Sequence, residues 1–120
     1  MQHPDTRYAS VADYTISYQV LGNAPIDVVV SAGTYNHMDV QWEDPAISVF
    51  FRTIATYARL IRFDVIGGGI SDRVQPGVEP PSFSEQLGAV AEAVGAQRFA
   101  MIAMTDAVGG AIEFTVEHPD

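Results

Sequence analysis

Apolar and polar positions alternate most clearly from Tyr14 to Leu21. Tyr14, Ile16, Tyr18 and Val20 interleave with Thr15, Ser17 and Gln19. A period of two predicts a half-buried strand. Thr6 to Val11 is a second β-rich run, and the two-residue join Ala12-Asp13 makes the pair an antiparallel hairpin. Gly22 to Pro25 is a turn. Ile26 to Val30 is apolar except for Asp27, and Arg59 to Asp64 and Phe99 to Met104 are two further strands. The last is wholly apolar, as befits a strand buried on both faces.

Helical spacing appears in three places. After Asp44-Pro45, an N-cap and first-turn proline, the residues Ile47, Phe50, Phe51, Ile54, Ala55 and Ala58 share one face. Ser82-Phe-Ser-Glu85 is a capping box, followed by the stripe Leu87, Val90, Ala91, Val94 and a stop at Gly95. Beyond Ala107, apolar residues fall at 108, 111, 112 and 115 or 116. Between these lie a loop from Ser31 to His37, a Gly-rich loop from Val65 to Arg73 and an irregular, proline-rich stretch from Val74 to Pro81.

The order β-β-β-α-β-α-β-α predicts one α/β domain over residues 1–120. Its sheet has five strands with three helices, in the order 1-2-4-3-5 that the resemblance given below implies. The first strand pair is antiparallel and the rest parallel, and the helices at Pro45 and Ser82 lie on opposite faces.

Composition narrows the function classes. A hydrophobic content of 48% excludes a disordered tail. A formal net charge of −9 argues against nucleic acid and anionic membrane surfaces. There is no cysteine, hence no disulfide or thiolate metal site, and no apolar run long enough to span a bilayer. A cytoplasmic address is the default expectation. Three scattered histidines without HxxxH spacing do not make a zinc site, so neither metal nor cofactor is expected.

The strand Phe99 to Met104, the corner Thr105-Asp106 and the helix after it have the frame of a nucleophile elbow, where G-x-S-x-G presents its Ser. Here the five positions read Ala103-Met104-Thr105-Asp106-Ala107. Several stretches carry the same likeness: Ile16 to Gly22, Trp42 to Pro45, Arg62 to Arg73 (compared with a D-x-x-G-x-G-x-S loop) and His118-Pro119-Asp120. The chain resembles the N-terminal half of the α/β-hydrolase fold, in the flavour of the bacterial hydrolase domains that sit beside adenylate or guanylate cyclase domains.

That resemblance implies a nucleophile at Thr105 and oxyanion-hole donors in the backbone N–H groups of Thr34 and Asp106. It also implies an acid and a His from strands beyond position 120, so about half of a domain of roughly 200–250 residues is absent. A β-branched Thr at a strained vertex, with Ala103 and Ala107 for the glycines, suggests a relaxed turn in which Thr105 is a helix N-cap. Asp106 as a carboxylate nucleophile of the dehalogenase kind needs a frame shifted by one; an acidic residue at a helix N-terminus accounts for it better. His37 and His118 are candidate bases, though surface roles suit both. Gly67-Gly68-Gly69 lacks the spacing of a dinucleotide or P-loop motif and has Asp72 where phosphate would approach.

Three functions follow as expectations. The first is a degenerate, truncated hydrolase-like protein without catalysis of its own. The second is half of an ester or acyl hydrolase completed by another polypeptide, with a small acyl substrate only then. The third is a small nucleotide-binding α/β module. The strand Phe99 to Met104 has an uncharged edge with no partner in the sequence, which predicts a homodimer or a partner polypeptide there.

Overall fold

The computed structural model describes residues 4–33 and 36–119. The strands are β1 (Arg7–Val11), β2 (Tyr14–Leu21), β3 (Asp27–Ser31), β4 (Arg59–Phe63) and β5 (Ala100–Ala103). The helices are α1 (Met38–Gln41), α2 (Pro45–Tyr57), α3 (Phe83–Val94) and α4 (Ala107–Glu117). The strands form one sheet in the order β1-β2-β4-β3-β5.

β1 and β2 pair antiparallel, and β3 pairs parallel with both β4 and β5. The expectation that every pair beyond the hairpin is parallel is corrected at one place: β2 also runs antiparallel to β4, with Tyr18 opposite Phe63. A short turn returns β2 into β3, so β2 cannot share the direction of the strands that follow it. A fourth helix, α1, also departs from the expected three. It is a single turn, too short for an apolar period, and His37 caps it by accepting from Val40 N at 3.2 Å.

Local signals do what their chemistry requires. Asp44 caps α2 with Pro45 at its start. Ser82 and Glu85 form the reciprocal capping box of α3, and Gly95 closes it at φ 72. Asp27, the one charge in β3, meets Arg59 across the strand pair through two hydrogen bonds of 2.7 and 2.9 Å. That hydrogen bonding holds the Arg59 guanidinium pKa above its ordinary value.

The sheet is covered on both faces. On one, Ile16, Tyr18, Val29, Ile61 and Phe63 pack with Leu87, Val90 and Ala91 of α3 and Phe114 of α4. On the other, Val30 and Leu60 pack with Trp42 and Phe51, flanked by Ile47 and Ile54 of α2. Thus α2 and α3 lie on opposite faces, as crossover handedness demands. Two readings of the pattern need correction. Ser17 and Gln19 are buried, so β2 is covered on both sides; Ser17 N is bonded to Ser71 Oγ and Gln19 Oε1 accepts from Trp42 Nε1. In α4 the buried side chains are Ala107, Ala111 and Phe114, while Val108, Ile112 and Val116 face out.

Candidate functional site

The loops after β3 and β4 and the turn after β5 meet at the C-terminal edge of the three parallel strands, where open α/β sheets place their sites. The buried Asp64, just beyond β4, ties two of them together. Its Oδ1 accepts from Asn36 Nδ2 at 2.8 Å and from Met38 N at 3.2 Å, and its Oδ2 accepts from Ile70 N at 3.0 Å. A side chain at Gly69 (φ 49) would overlap that carboxylate, so the loop can close on Asp64 only through glycine.

The rest of the Gly-rich loop is bonded to itself. Gly67 N donates to Asp72 O, Gly68 N to Val65 O and Ser71 N to Gly68 O. Arg73 donates to the carbonyls of Gly67 and Gly69. Amides committed inward in this way offer nothing to a phosphate.

Arg62, two residues before Asp64, is buried on the same side of the sheet, where it donates to Met38 O. Its guanidinium lies 3.7 Å from the Phe51 ring centroid and 5.5 Å from that of Trp42, and donates to Gln41 Oε1. Desolvation lowers its pKa to about 10, while the Asp64 charge acts in the opposite direction.

The turn after β5 is not relaxed. Thr105 has φ 56; among the described non-glycine residues only Ala12, in the β1–β2 turn, shares a positive φ. For a β-branched residue this conformation is a steric outlier. The vertex is therefore at Thr105, in the unshifted frame, and Asp106 is already helical at φ −72. Nor is Thr105 the N-cap of α4. That position belongs to Asp106, whose side chain makes no capping hydrogen bond. The Thr105 hydroxyl has Ala32 O at 2.6 Å and Met104 O at 2.7 Å as acceptors, with Asp106 Oδ1 at 3.2 Å.

Asp106 reaches across to the loop after β3. A Cβ at Gly33 (φ 79) would overlap Asp106 Oδ1, so the carboxylate lies directly against the glycine face. Thr34, the expected second oxyanion donor, lies outside the described residues. A cleft of about 170 Å³ opens beside these groups, lined by Gly33, Val65, Ile66, Phe83, Gln86, Asp106 and Ala107. It is smaller than the usual range for a drug-sized ligand.

The candidate bases have other work. His37 caps α1. His118 ends α4, stacked on Phe114 with ring centroids 4.2 Å apart; Thr105 precedes that helix at its other end. The elbow loops thus bring together Gly33, Asp106 and Thr105, with neither histidine in that set. Among the described residues no His, Asp and Glu cluster is arranged to hold a metal, and no helix is long and apolar enough to cross a membrane.

No protein-family model matches the sequence, and no curated protein matches it. Solved structures do. A haloalkane dehalogenase loop variant from Bradyrhizobium elkanii superposes with a TM-score of 0.72 at 17% identity, over 98% of this chain and 37% of that one. A bacterial membrane phospholipase A gives 0.78 at 18% identity, over 97% and 36%. The esterase RhEst1 from a Rhodococcus species gives 0.69 at 25% identity, over 94% and 41%. The chain spans about two fifths or less of the length of each. With the strand order and the crossover helices, these likenesses show that the chain has part of the α/β-hydrolase fold.

Proposed function

We propose that the chain is a degenerate hydrolase-like segment that keeps the backbone of the elbow but does not hydrolyse acyl substrates on its own. One observation carries this reading: the vertex hydroxyl and the Asp106 carboxylate are both turned to uses that oppose acyl transfer. An elbow nucleophile needs a base to take its proton. The nearest acceptors of the Thr105 proton are two backbone carbonyls, neither of them a base, and the Asp106 carboxylate lies farther off at 3.2 Å, with no described histidine in reach. An oxyanion needs donors, whereas Asp106 Oδ1 lies against Gly33. A second negative charge about 4 Å from a carboxylate costs roughly 4 kcal/mol at an effective dielectric constant near 20, about a thousandfold in rate.

The test is hydrolysis of p-nitrophenyl acetate by the wild-type chain, Thr105→Ala and Thr105→Ser. All three are expected at the buffer rate, because triad members act as a unit and a lone hydroxyl gains little. Wild-type turnover that Thr105→Ala abolishes overturns the reading.

A second reading is half of an ester hydrolase completed by another polypeptide. It is favoured by the partial span of 36 to 41% over the three structures above. Genomic sequence following the codon for Asp120 discriminates: a separate reading frame with further strands, an acidic residue and a His supports completion by another polypeptide, and the same strands encoded in frame with Asp120 overturn it.

A further inference from the structure

One carboxylate oxygen meets every wall of the elbow. Asp106 Oδ1 lies 3.2 Å from Thr105 Oγ1. It also stands, with Cγ behind it, in the space that a Cβ on Gly33 would need, and that space is 3.1 Å from Ala107 N at the start of α4. Asp106 holds the N-cap position of α4, yet its side chain makes no hydrogen bond to the first amides of that helix. The carboxylate is laid over the loop after β3 instead.

The chemistry of that place suits an anion. A glycine face lets a ligand come close to the backbone, and the first turn of an 11-residue helix favours negative charge. The resemblance to the hydrolases assigns the oxygen of an acyl group to the backbone N–H of Asp106 and that of the residue after Gly33. Beside it, Val65, Ile66, Phe83 and Ala107 give the cleft of about 170 Å³ apolar walls, which suit a short alkyl group.

We infer that Asp106 is the built-in ligand of its own elbow: its carboxylate occupies the place of an acyl oxygen, and a small carboxylate such as acetate binds there once the side chain is shortened. The inference rests on the reading of the elbow as degenerate and adds a second cause to it. Thr105 concerns the chemistry, whereas Asp106 concerns access. Two effects close the place in the wild-type chain. The oxygen fills it, and its charge repels a second anion across a few ångströms of partly desolvated space. Asp106→Ala removes both effects. Asp106→Ser also removes both and keeps a residue that caps a helix well.

Titration of the chain with sodium acetate at constant ionic strength, followed by the amide NMR shifts of Gly33, Ala107 and residue 106, tests it. The wild type is expected to show no saturating shift up to tens of millimolar. Both variants are expected to saturate at these amides, with an affinity at least about tenfold above the wild-type limit. A wild type that saturates with the affinity of Asp106→Ala overturns the inference. So does a failure of both variants to saturate while their far-UV circular dichroism is native; Asp106→Ser covers the case in which Asp106→Ala loses the start of α4. A double-mutant cycle checks the contact without any ligand. Gly33→Ala should lower Tm more in the wild type than in Asp106→Ala, because the strain of Ala at φ 79 is common to both backgrounds and only the overlap differs. Equal losses overturn the contact. Hydrolysis of p-nitrophenyl acetate is a separate readout: wild-type turnover overturns the reading of the elbow, whereas failed acetate binding with hydrolysis at the buffer rate overturns this inference alone.

Discussion

Replacing Asp64 by Ala should cost a large fraction of the protein's stability. Its carboxylate is fully buried and accepts from Asn36 Nδ2, Met38 N and Ile70 N. Asn36 and Met38 are themselves buried, so their donors would be stranded; Ile70 is half-buried and water can reach it. Each stranded buried donor costs about 1–3 kcal/mol. Removal of the negative charge also takes away the interaction that counters desolvation at Arg62. The expected loss is about 3–6 kcal/mol, against roughly 6–18 kcal/mol for a domain of this size.

Asp64→Asn should lose less, because one oxygen still accepts while the new amide group opposes one N–H. Urea unfolding followed by Trp42 fluorescence and by far-UV circular dichroism gives the answer. With a slope of about 1–3 kcal/mol per molar urea, the Ala variant moves the midpoint by a molar or more. A loss under about 1 kcal/mol in Asp64→Ala, or an Asn variant less stable than the Ala variant, would refute the role assigned to this carboxylate.

Two other outcomes follow from local geometry. At an ordinary helical or extended position Gly is less stable than Ala by roughly 0.5–1 kcal/mol; at Thr105, with φ 56, the order inverts, and Thr105→Gly should melt above Thr105→Ala by a few degrees. Desolvation depresses the Arg62 pKa from the ordinary guanidinium range to about 10, so above pH 10 the unfolded chain binds more protons and stability rises with pH. The difference in unfolding free energy between wild type and Arg62→Met should therefore shift in favour of wild type from pH 10 to pH 12, and a flat difference would show that the folded charge is not desolvated.

Where one signal decided an element, the sequence alone was enough. The Asp44-Pro45 start, the Ser82–Glu85 box and Gly95 bound their helices because each is a local hydrogen-bonding or backbone requirement. Crossover handedness put α2 and α3 on opposite faces, and the strand order came with the likeness to the α/β-hydrolase fold. The failures have physical sources as well. α1 is a single turn with no period to read. Periodicity in α4 picked out residues 108, 112 and 116, but a stripe of apolar spacing does not say which side faces the sheet. Phe50 sits at 45% exposure beside the buried Phe51 for the same reason.

The elbow was misread because Thr is sterically opposed to a left-handed backbone, so its side-chain chemistry pointed to a relaxed N-cap. The surrounding strand and helix impose the conformation despite it. Nothing local announces that Asp106 will rest on Gly33, seventy-three positions earlier in the chain. Asp64 was visible only as one letter of a loop pattern, and its place as an anchor of the neighbouring loops depends on partners distant in sequence.

The central claim is that the elbow is present as backbone while its hydroxyl is not activated. The most direct measurement is intact-mass analysis of the chain after prolonged incubation with a fluorophosphonate, which forms a stable adduct with an activated hydroxyl nucleophile. An unmodified mass is predicted, for the wild-type chain and equally for Thr105→Ser. A single adduct that maps to Thr105 would contradict the account.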